Sequence, residues 1–268
     1  MSPVNINPHS NERFAEIAER GTILRCQVGS GVHGTAIEGQ DDRDEMGMCI
    51  EPPEYVIGLG SFEQYIFRTQ PEGERSGAGD LDLTIYSLRK WLRLALTGNP
   101  TVLLPLFVPE DEIVSQTDVG RELRARADLI VSRLAGQRFL GYLNAQRRSM
   151  LGLKAGRHTN RPELQERYGF DAKFAMHMVR LGVQGVELLE TGRITLPVPE
   201  PWLSWLRDLR QGGHTKDEAL EAAAELEARL SDLLVTSPLP EEPAWDEAGR
   251  WLVDVYRRTW DAQATQPA

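Results

Sequence analysis

Two stretches of the sequence determine the fold: VGSGVHGTAIEGQDDRDEMGMCI, residues 28–50, and DLDLTIYSLRKWLRLALTGNP, residues 80–100. In the second stretch Leu81, Leu83 and Ile85 alternate with polar or amphipathic residues, which predicts a half-buried strand. An amphipathic helix follows and ends at a Gly-Asn-Pro sequence. The first stretch joins a strand to a Gly-Ser turn and then to a pair of aspartates. Together the two stretches predict a small sheet with acidic residues.

Outside these stretches, the predicted secondary structure changes near residue 110. Before that point short apolar segments at 22–28 and 46–50 predict strands, and the polar, glycine-rich segment 69–79 predicts a loop. After it, helical periodicity predominates, at residues 117–135, 137–153, 170–191, 215–235 and 244–262. We therefore expect an α+β protein: a small mixed β-sheet domain, residues 1–109, followed by an all-helical C-terminal domain, residues 110–268.

Composition excludes several classes of protein. The chain has 268 residues, a net charge of −10 and 41% hydrophobic residues, which is typical of a globular protein and not of a disordered one. No apolar run approaches the roughly 18 residues that span a bilayer, and the N-terminus lacks the features of a signal peptide. We expect a cytoplasmic protein with no membrane partner. Cys26 and Cys49 lie in apolar segments, which predicts two buried, reduced thiols.

Two familiar glycine and aspartate patterns in residues 28–50 do not fit. Gly29, Gly31 and Gly34 form a G-x-G-x-x-G sequence after a strand, but too few apolar residues follow for the crossover helix of a dinucleotide-binding unit. Asp42 and Asp44, followed by a glycine, resemble a calcium-binding loop, but the later ligand positions of such a loop hold residues without side-chain oxygen. Both interpretations are rejected.

A site for divalent metal and phosphate fits better. Asp42 and Asp44 are spaced i, i+2, so in an extended segment both point to one face, and Asp82 lies in a later strand on the face opposite its leucines. Carboxylates this close repel one another unless a cation lies between them, and Mg²⁺ prefers oxygen ligands. The turn at Gly29 and Ser30 presents backbone N–H groups to a phosphate. For the aspartate pair alone, a solvated charged turn is the alternative.

These residues carry a resemblance to a known family. The G-S-x-x-H-G-T sequence, the D-x-D pair and the strand aspartate of DLDLTIYSLRK resemble stand-alone predicted nucleotidyltransferases of the DNA polymerase β superfamily. The helical segment GFDAKFAMHMVRLGVQGVELLETGRITLP, residues 169–197, and LPEEP near residue 240 are also similar to that group. The sequence departs from the superfamily pattern at Arg43 and Glu45, positions that are usually apolar.

The resemblance implies a fold like the polymerase β palm and a reaction. A hydroxyl would attack the α-phosphate of a nucleoside triphosphate such as ATP, and pyrophosphate would leave. Asp42 and Asp44 would bridge two Mg²⁺ or Mn²⁺ ions, and Asp82 would hold the ion that activates the hydroxyl. Gly29 and Ser30 would bind the β- and γ-phosphates. Asp80, on the same strand face, is the substitute for Asp82.

Further residues are weaker candidates for binding the nucleotide. His33 follows the phosphate turn, where a structural role in the turn is the alternative. Lys173, His177 and Arg180 recur at i, i+4 and i+7 on one helical face, and the resemblance makes them triphosphate or acceptor contacts. A solvated polar stripe with a packed histidine is the alternative for these three residues.

The acceptor of the nucleotide is suggested by charge. The segment from Arg121 to Arg180 holds 13 Lys/Arg and 5 Asp/Glu in an otherwise acidic chain, and with Tyr142 and Tyr168 it suggests a basic surface for RNA. We expect the acceptor to be an RNA 3′ end such as that of tRNA. Two alternatives stay open: a nucleotidyltransferase that modifies a protein, and a nucleotide-binding module without catalysis.

Overall fold

The N-terminal part of the chain is built on a five-stranded sheet with strand order β3-β4-β2-β1-β5. The computed structural model describes residues 8–37, 39–71, 74–153 and 161–265. The strands are β1 (Thr22–Val28), β2 (Arg43–Cys49), β3 (Gln64–Arg68), β4 (Leu81–Ser87) and β5 (Ile113–Gln116). The strands expected at 22–28 and in the second stretch are therefore confirmed.

The sheet is mixed. β2 and β4 run parallel, whereas β1–β2, β1–β5 and β3–β4 are antiparallel pairs. Because β1 and β2 are antiparallel neighbours, the glycine-rich turn between them does not begin a parallel crossover. The rejection of a dinucleotide-binding unit on sequence grounds is confirmed by this pairing.

Helices make up most of the remaining described residues. They are α1 (Glu12–Gly21), α2 (Gly29–Val32), α3 (Pro53–Val56), α4 (Leu88–Leu96), α5 (Asp118–Ala125), α6 (Ala127–Ile130), α7 (Arg133–Met150), α8 (Pro162–Tyr168), α9 (Ala172–Thr191), α10 (Trp202–Arg210), α11 (Lys216–Thr236) and α12 (Trp245–Ala264). The expected α+β class with a helical C-terminal region is confirmed. Among the residues described, no helix has both the length and the apolar composition needed to cross a bilayer.

The chain forms two compact units. The first comprises residues 1–96, 101–130 and 244–268, and the second comprises residues 97–100 and 131–243. The first unit contains the sheet, and the second contains the helices α7 to α11. The division of the chain into functional domains at residue 109 stays a prediction.

Three local expectations differ from the structure. The helix expected over residues 117–135 is divided, because α5 ends at Ala125 and Ser132, in an extended conformation, precedes α7. β5 lies in the region where only helices were expected, and it pairs with β1 at the edge of the sheet. α1 and α10 were not predicted, since both are short and flanked by irregular sequence.

Alternating burial along β4 positions its aspartate. Leu83 and Ile85 are buried in an apolar cluster with Ile17 and Ala18 of α1. Successive side chains of a strand point to opposite faces, so Asp82 lies on the face away from this cluster. The register that the hydrophobic pattern specifies is therefore the one that directs Asp82 outward.

Glu45 is a buried charge inside β2. Its carboxylate accepts from Arg25 Nε at 2.5 Å and from Arg43 Nε at 2.6 Å. A buried carboxylate is tolerated when it is paired in this way. Arg43 and Glu45, the two charged positions that depart from the superfamily pattern the sequence resembles, therefore pair with each other, and Arg25 of β1 also pairs with Glu45. The register of β2 against its neighbours is regular at both positions.

The helical unit is packed around α9. Small residues of α9 admit its neighbours closely, since Gly182 lies against Leu226 of α11 and Gly185 against Phe139 of α7. A capping box begins α11: the Thr215 hydroxyl accepts from the backbone N–H of Glu218, and the Glu218 side chain accepts from the N–H of Thr215.

Both cysteines are buried and free, as predicted. Burial raises the pKa of Cys26 to about 12 and also raises the pKa of Cys49. A thiol reacts as its thiolate, so neither cysteine is a reactive nucleophile at neutral pH.

Candidate active site

The parallel pairing of β2 and β4 aligns two aspartates. Asp44 of β2 lies directly opposite Asp82 of β4, and Val28, the last residue of β1, lies opposite Asp44 on the other side. Residues in register on neighbouring strands present their side chains to the same face of the sheet. Asp44 and Asp82 therefore share a face at the end of three adjacent strands.

Asp42 completes a group of three carboxylates. It immediately precedes β2 and lies two residues before Asp44. One oxygen from each of Asp42, Asp44 and Asp82 lies within 4.8 Å of the others, and all three residues are half-buried. The group is positioned by strand pairing, although Asp82 lies 38 positions after Asp44 in the chain.

The chemistry of this donor set suits a hard divalent cation. Three half-buried carboxylates in close proximity concentrate negative charge, and oxygen ligands of this kind are those that Mg²⁺ and Mn²⁺ take. These residues therefore fit the metal that the sequence predicts. Their assignment as ligands stays a prediction.

Gly29 brings the predicted phosphate turn against Asp44. Its φ is +72°, a conformation that glycine adopts without strain, and a Cβ at this position would lie 2.0 Å from Asp44 Oδ2. The turn continues through Ser30 in α2, and Ser30 O accepts from the N–H of Thr35. The predicted phosphate turn and the carboxylates therefore adjoin each other.

His33 is more deeply buried than Gly29 and Ser30, the turn residues that precede it. It follows α2, its backbone N–H donates to Gly29 O, and the residue is only 2% exposed. A side chain this buried favours the structural alternative for His33. Its contact with a nucleotide stays a prediction.

The carboxylate of Asp82 accepts hydrogen bonds on both of its oxygens. Its Oδ1 accepts from Arg68 Nε at 2.9 Å and from Gln70 Nε2 at 2.9 Å. Its Oδ2 accepts from Ser76 Oγ at 2.9 Å and from Arg68 Nη2 at 3.2 Å. Burial alone would raise the pKa of Asp82, but these donors outweigh burial and the pKa is lowered.

Asp80, the alternative to Asp82 as the third carboxylate, accepts hydrogen bonds from residues close to it before β4. Its Oδ1 accepts from the Thr69 hydroxyl at 2.8 Å and its Oδ2 from the N–H of Gly77 at 2.9 Å; the bond from Gly77 and then that from Thr69 lower its pKa. Asp80 is outside the group of three converging carboxylates. The geometry therefore favours Asp82 over Asp80.

The helical unit holds a second set of predicted residues on α9. Burial lowers the pKa of His177 well below its ordinary value, and the cations Arg180, Lys173, Arg161 and Arg210 lower it further. His177 is therefore neutral at neutral pH and lies among positive charges. Such a set suits a polyanion, but the role of Lys173, His177 and Arg180 in nucleotide binding stays a prediction.

The pKa of Arg180 is also lowered, to about 10, because the protein removes its guanidinium from water. It stays protonated at neutral pH, and its Nη1 donates to Gln184 Oε1 at 3.1 Å. A guanidinium held in this way is a fixed positive charge.

Much of the basic segment 121–180 is neutralised locally. In the part of the chain that the structure describes, its ion pairs include Arg121–Asp118, Arg124–Glu110, Arg126–Glu122, Arg133–Glu241, Arg147–Glu227 and Arg161–Asp171. Lys154, Arg157 and His158 lie outside the described residues. The excess of positive charge in the sequence therefore overstates the charge that this segment offers to RNA.

Comparison with known proteins identifies the family. The RNA repair pathway DNA polymerase beta family, RlaP, matches residues 6–254. The chain belongs to this family. The resemblance to polymerase β-type nucleotidyltransferases is thereby confirmed, over a match that includes both stretches quoted above and the helical unit.

One similar solved structure is a nucleotidyltransferase-like protein from Exiguobacterium sibiricum 255-15, with 12% identity and a TM-score of 0.30. The match covers 91% of this chain and 77% of that one. No match was found among curated proteins.

Three residues at the site were not predicted: Arg68, Gln70 and Ser76. Arg68 ends β3 opposite Asp82, and the other two lie in the segment expected to be a loop. The pairing of β3 with β4 was the missing information, because alternation identifies a strand without identifying its neighbour.

Proposed function

We propose that this protein is a Mg²⁺- or Mn²⁺-dependent nucleotidyltransferase that adds a nucleoside monophosphate to the 3′ end of an RNA, with tRNA as the expected substrate. The observation that carries the proposal is the convergence of Asp42, Asp44 and Asp82 beside the Gly29–Ser30 turn. Membership of a family described by an RNA repair pathway supports RNA as the acceptor.

The reaction is a displacement at phosphorus. The oxygen of the RNA 3′-hydroxyl forms a bond to the α-phosphorus of the triphosphate, the bond from that phosphorus to the bridging oxygen breaks, and pyrophosphate leaves. The hydroxyl proton passes to water. Such a reaction depends on positioning and on neutralisation of charge, so it needs no dedicated histidine.

The three aspartates would hold the metal. Asp42 and Asp44 would contact two ions, and Asp82 would contact the ion nearest the acceptor hydroxyl. When bound, divalent ions neutralise the charge of the phosphates and lower the pKa of a coordinated hydroxyl. The protein contributes the fixed strand register, which holds the carboxylates together before any substrate is present.

The remaining residues would bind the triphosphate. The turn at Gly29 and Ser30 would give backbone N–H groups to phosphate oxygens. Lys173 and Arg180 would contribute positive charge, and neutral His177 would contribute a hydrogen bond without titrating near neutral pH. These roles agree with the polarity of each group.

Transfer of a labelled nucleotide tests the proposal. Purified protein is incubated with each α-³²P-labelled nucleoside triphosphate, Mg²⁺ or Mn²⁺ and total RNA. We expect label in RNA that 3′-exonuclease removes, and complete loss of labelling with Asp42→Asn. Asp80→Asn is the matched control, because its carboxylate is bonded to groups of the turn before β4, and it should retain most of the activity.

Three results would contradict the proposal in different ways. Label in a protein band with none in RNA would make this an enzyme that modifies proteins. Binding of the triphosphate without transfer to any acceptor would make it a nucleotide-binding module. Loss of activity in Asp80→Asn with activity retained in Asp82→Asn would show that Asp80, and not Asp82, is the third carboxylate.

A further inference from the structure

Asp82 is not a free metal ligand, because both of its carboxylate oxygens already accept hydrogen bonds from neighbouring side chains. A carboxylate has about four lone-pair sites for hydrogen bonds. Arg68 occupies two of them, and Gln70 and Ser76 occupy one each, at distances from 2.9 to 3.2 Å. A metal ion that takes Asp82 as a ligand must therefore displace at least one of these donors.

Strand pairing makes Arg68 the strongest of the competing donors. Arg68 and Asp82 are paired residues of the antiparallel strands β3 and β4, so the guanidinium meets the carboxylate across the ladder. Two N–H···O bonds from one guanidinium to the two oxygens of a carboxylate form the bidentate geometry that arginine favours. Arg68 thus brings one positive charge to the position at which a cation is expected.

The position of Arg68 also allows its guanidinium to move away from Asp82. It is the last residue of β3, and 38% of its side chain is exposed, so the guanidinium reaches water without any change in the strand. The Ser76 hydroxyl also accepts from Gln70, which links the two smaller donors to each other. The three residues therefore form one group on the outer side of Asp82.

We propose that Arg68, with Gln70 and Ser76, occupies Asp82 in place of a divalent ion and releases it when the ion binds. The inference rests on the proposed function, because it assumes that Asp82 is a metal ligand. Its consequence is that the ion contacting all three aspartates binds more weakly than the ion contacting only Asp42 and Asp44. Arg68 is then a positioning residue that sets the concentration of metal at which the site is complete.

Binding of Mn²⁺ to the full chain, measured from the signal of free Mn²⁺ in electron paramagnetic resonance, tests this proposal. Arg68→Met should lower the dissociation constant of the weaker ion by about tenfold, because it frees two lone-pair sites and removes a competing positive charge. Ser76→Ala, which removes one donor without changing the charge, should lower it by a smaller factor.

Arg43→Met is the matched control for charge. Arg43 lies between Asp42 and Asp44 in sequence and pairs with Glu45, so its removal takes a positive charge from the same region without freeing Asp82. We expect a smaller change in Mn²⁺ affinity than Arg68→Met produces. Equal effects of the two variants would reduce Arg68 to a general electrostatic influence and overturn the proposal.

The remaining outcomes separate this proposal from the proposed function. Unchanged or weaker Mn²⁺ binding in Arg68→Met, with binding still abolished by Asp44→Asn, would overturn the displacement and leave the metal site in place. If Asp44→Asn left the affinity for Mn²⁺ unchanged, the assignment of the metal site itself would be wrong.

Discussion

Gly29 decides how closely the phosphate turn approaches the carboxylates. A methyl group at this position would lie 2.0 Å from Asp44 Oδ2, far inside contact distance. We predict that Gly29→Ala displaces Asp44 and weakens Mn²⁺ binding by at least about tenfold, in addition to a backbone cost of about 1 kcal/mol for an alanine in a left-handed conformation. Titration with Mn²⁺ and chemical denaturation measure the two effects.

Gly39→Ala is the control for that substitution. Gly39 has a φ of +74°, almost the same as Gly29, but among the described residues other than its chain neighbours no atom lies within 4 Å of the position that a Cβ would take. The control should show the same loss of stability and unchanged Mn²⁺ affinity. If Gly39→Ala impairs Mn²⁺ binding as strongly as Gly29→Ala, the contact with Asp44 is not the cause.

Glu51 gives the folded protein a dependence on pH. Its side chain is fully buried, Tyr256 donates to its Oε2 at 2.7 Å, and burial raises its pKa above the ordinary value of 4.5. The folded state therefore holds the proton more tightly than the unfolded state, and this contribution to stability is lost as the pH rises through the folded pKa.

Glu51→Gln should remove this part of the pH dependence. Glutamine keeps the shape of the side chain but carries no charge to desolvate. The free energy of unfolding of the variant, taken relative to that of the unsubstituted protein, should therefore be higher at pH 8 than at pH 5. Urea denaturation at the two values of pH measures the difference. A variant that is destabilised equally at both would show that Glu51 does not titrate on unfolding.

Single residues were predictable where a pattern constrains them. Asp82 alternates with leucines, so its face followed from the sequence, and Asp42 and Asp44 share a face by their spacing. The donors to Asp82 were not predictable, because they come from β3 and from the segment that follows it. Nothing in the local sequence of Arg68 identifies the strand with which it pairs.

Elements were predictable in proportion to their length and periodicity. α9, α11 and α12 are long and amphipathic, and their expected ranges agree with the structure within a few residues. β5 has only four residues, of which most are polar or exposed, and it becomes a strand because β1 offers it an open edge. Tertiary pairing of this kind is invisible to a local pattern.

Close packing of α9 against its neighbours leads to a prediction about two glycines. A Cβ at Gly185 would lie 2.8 Å from Phe139 Cβ and 3.0 Å from Leu230 Cδ2, so Gly185→Ala should destabilise the helical unit by about 1–3 kcal/mol. Gly141 of α7 has open space around it, and Gly141→Ala should stabilise by about 0.5–1 kcal/mol. Chemical denaturation measures both changes in the free energy of unfolding. If both substitutions changed it in the same direction, the close packing inferred at Gly185 would be wrong.

Across the whole chain, the family was predictable because residues distant in sequence belong to one family pattern. The chain is acidic, with a net charge of −10, and many arginines of its basic segment are paired with carboxylates. Net charge therefore does not identify the acceptor. The Gly-Ser turn, the aspartate pair and the strand aspartate do indicate the chemistry, since their spacing is meaningful only when β1, β2 and β4 are neighbours.

Metal binding should stabilise the unit that contains the sheet. A ligand at one hundred times its dissociation constant adds about 2.7 kcal/mol to the stability of the state that binds it. We predict slower hydrogen exchange in peptides from β2 and β4 when Mn²⁺ is added, and no such change in Asp44→Asn. Slower exchange in both proteins would place the ion elsewhere.

Convergence of the three aspartates on shared metal ions is best tested by a crystal structure with Mn²⁺ and a non-hydrolysable nucleoside triphosphate, because anomalous scattering locates manganese without ambiguity. We expect two manganese peaks about 3.5–4 Å apart. Both should be bonded to Asp42 and Asp44 and one to Asp82, with the β- and γ-phosphates against Gly29 and Ser30. A nucleotide bound elsewhere, or manganese that leaves Asp44 without a metal bond, would refute this arrangement.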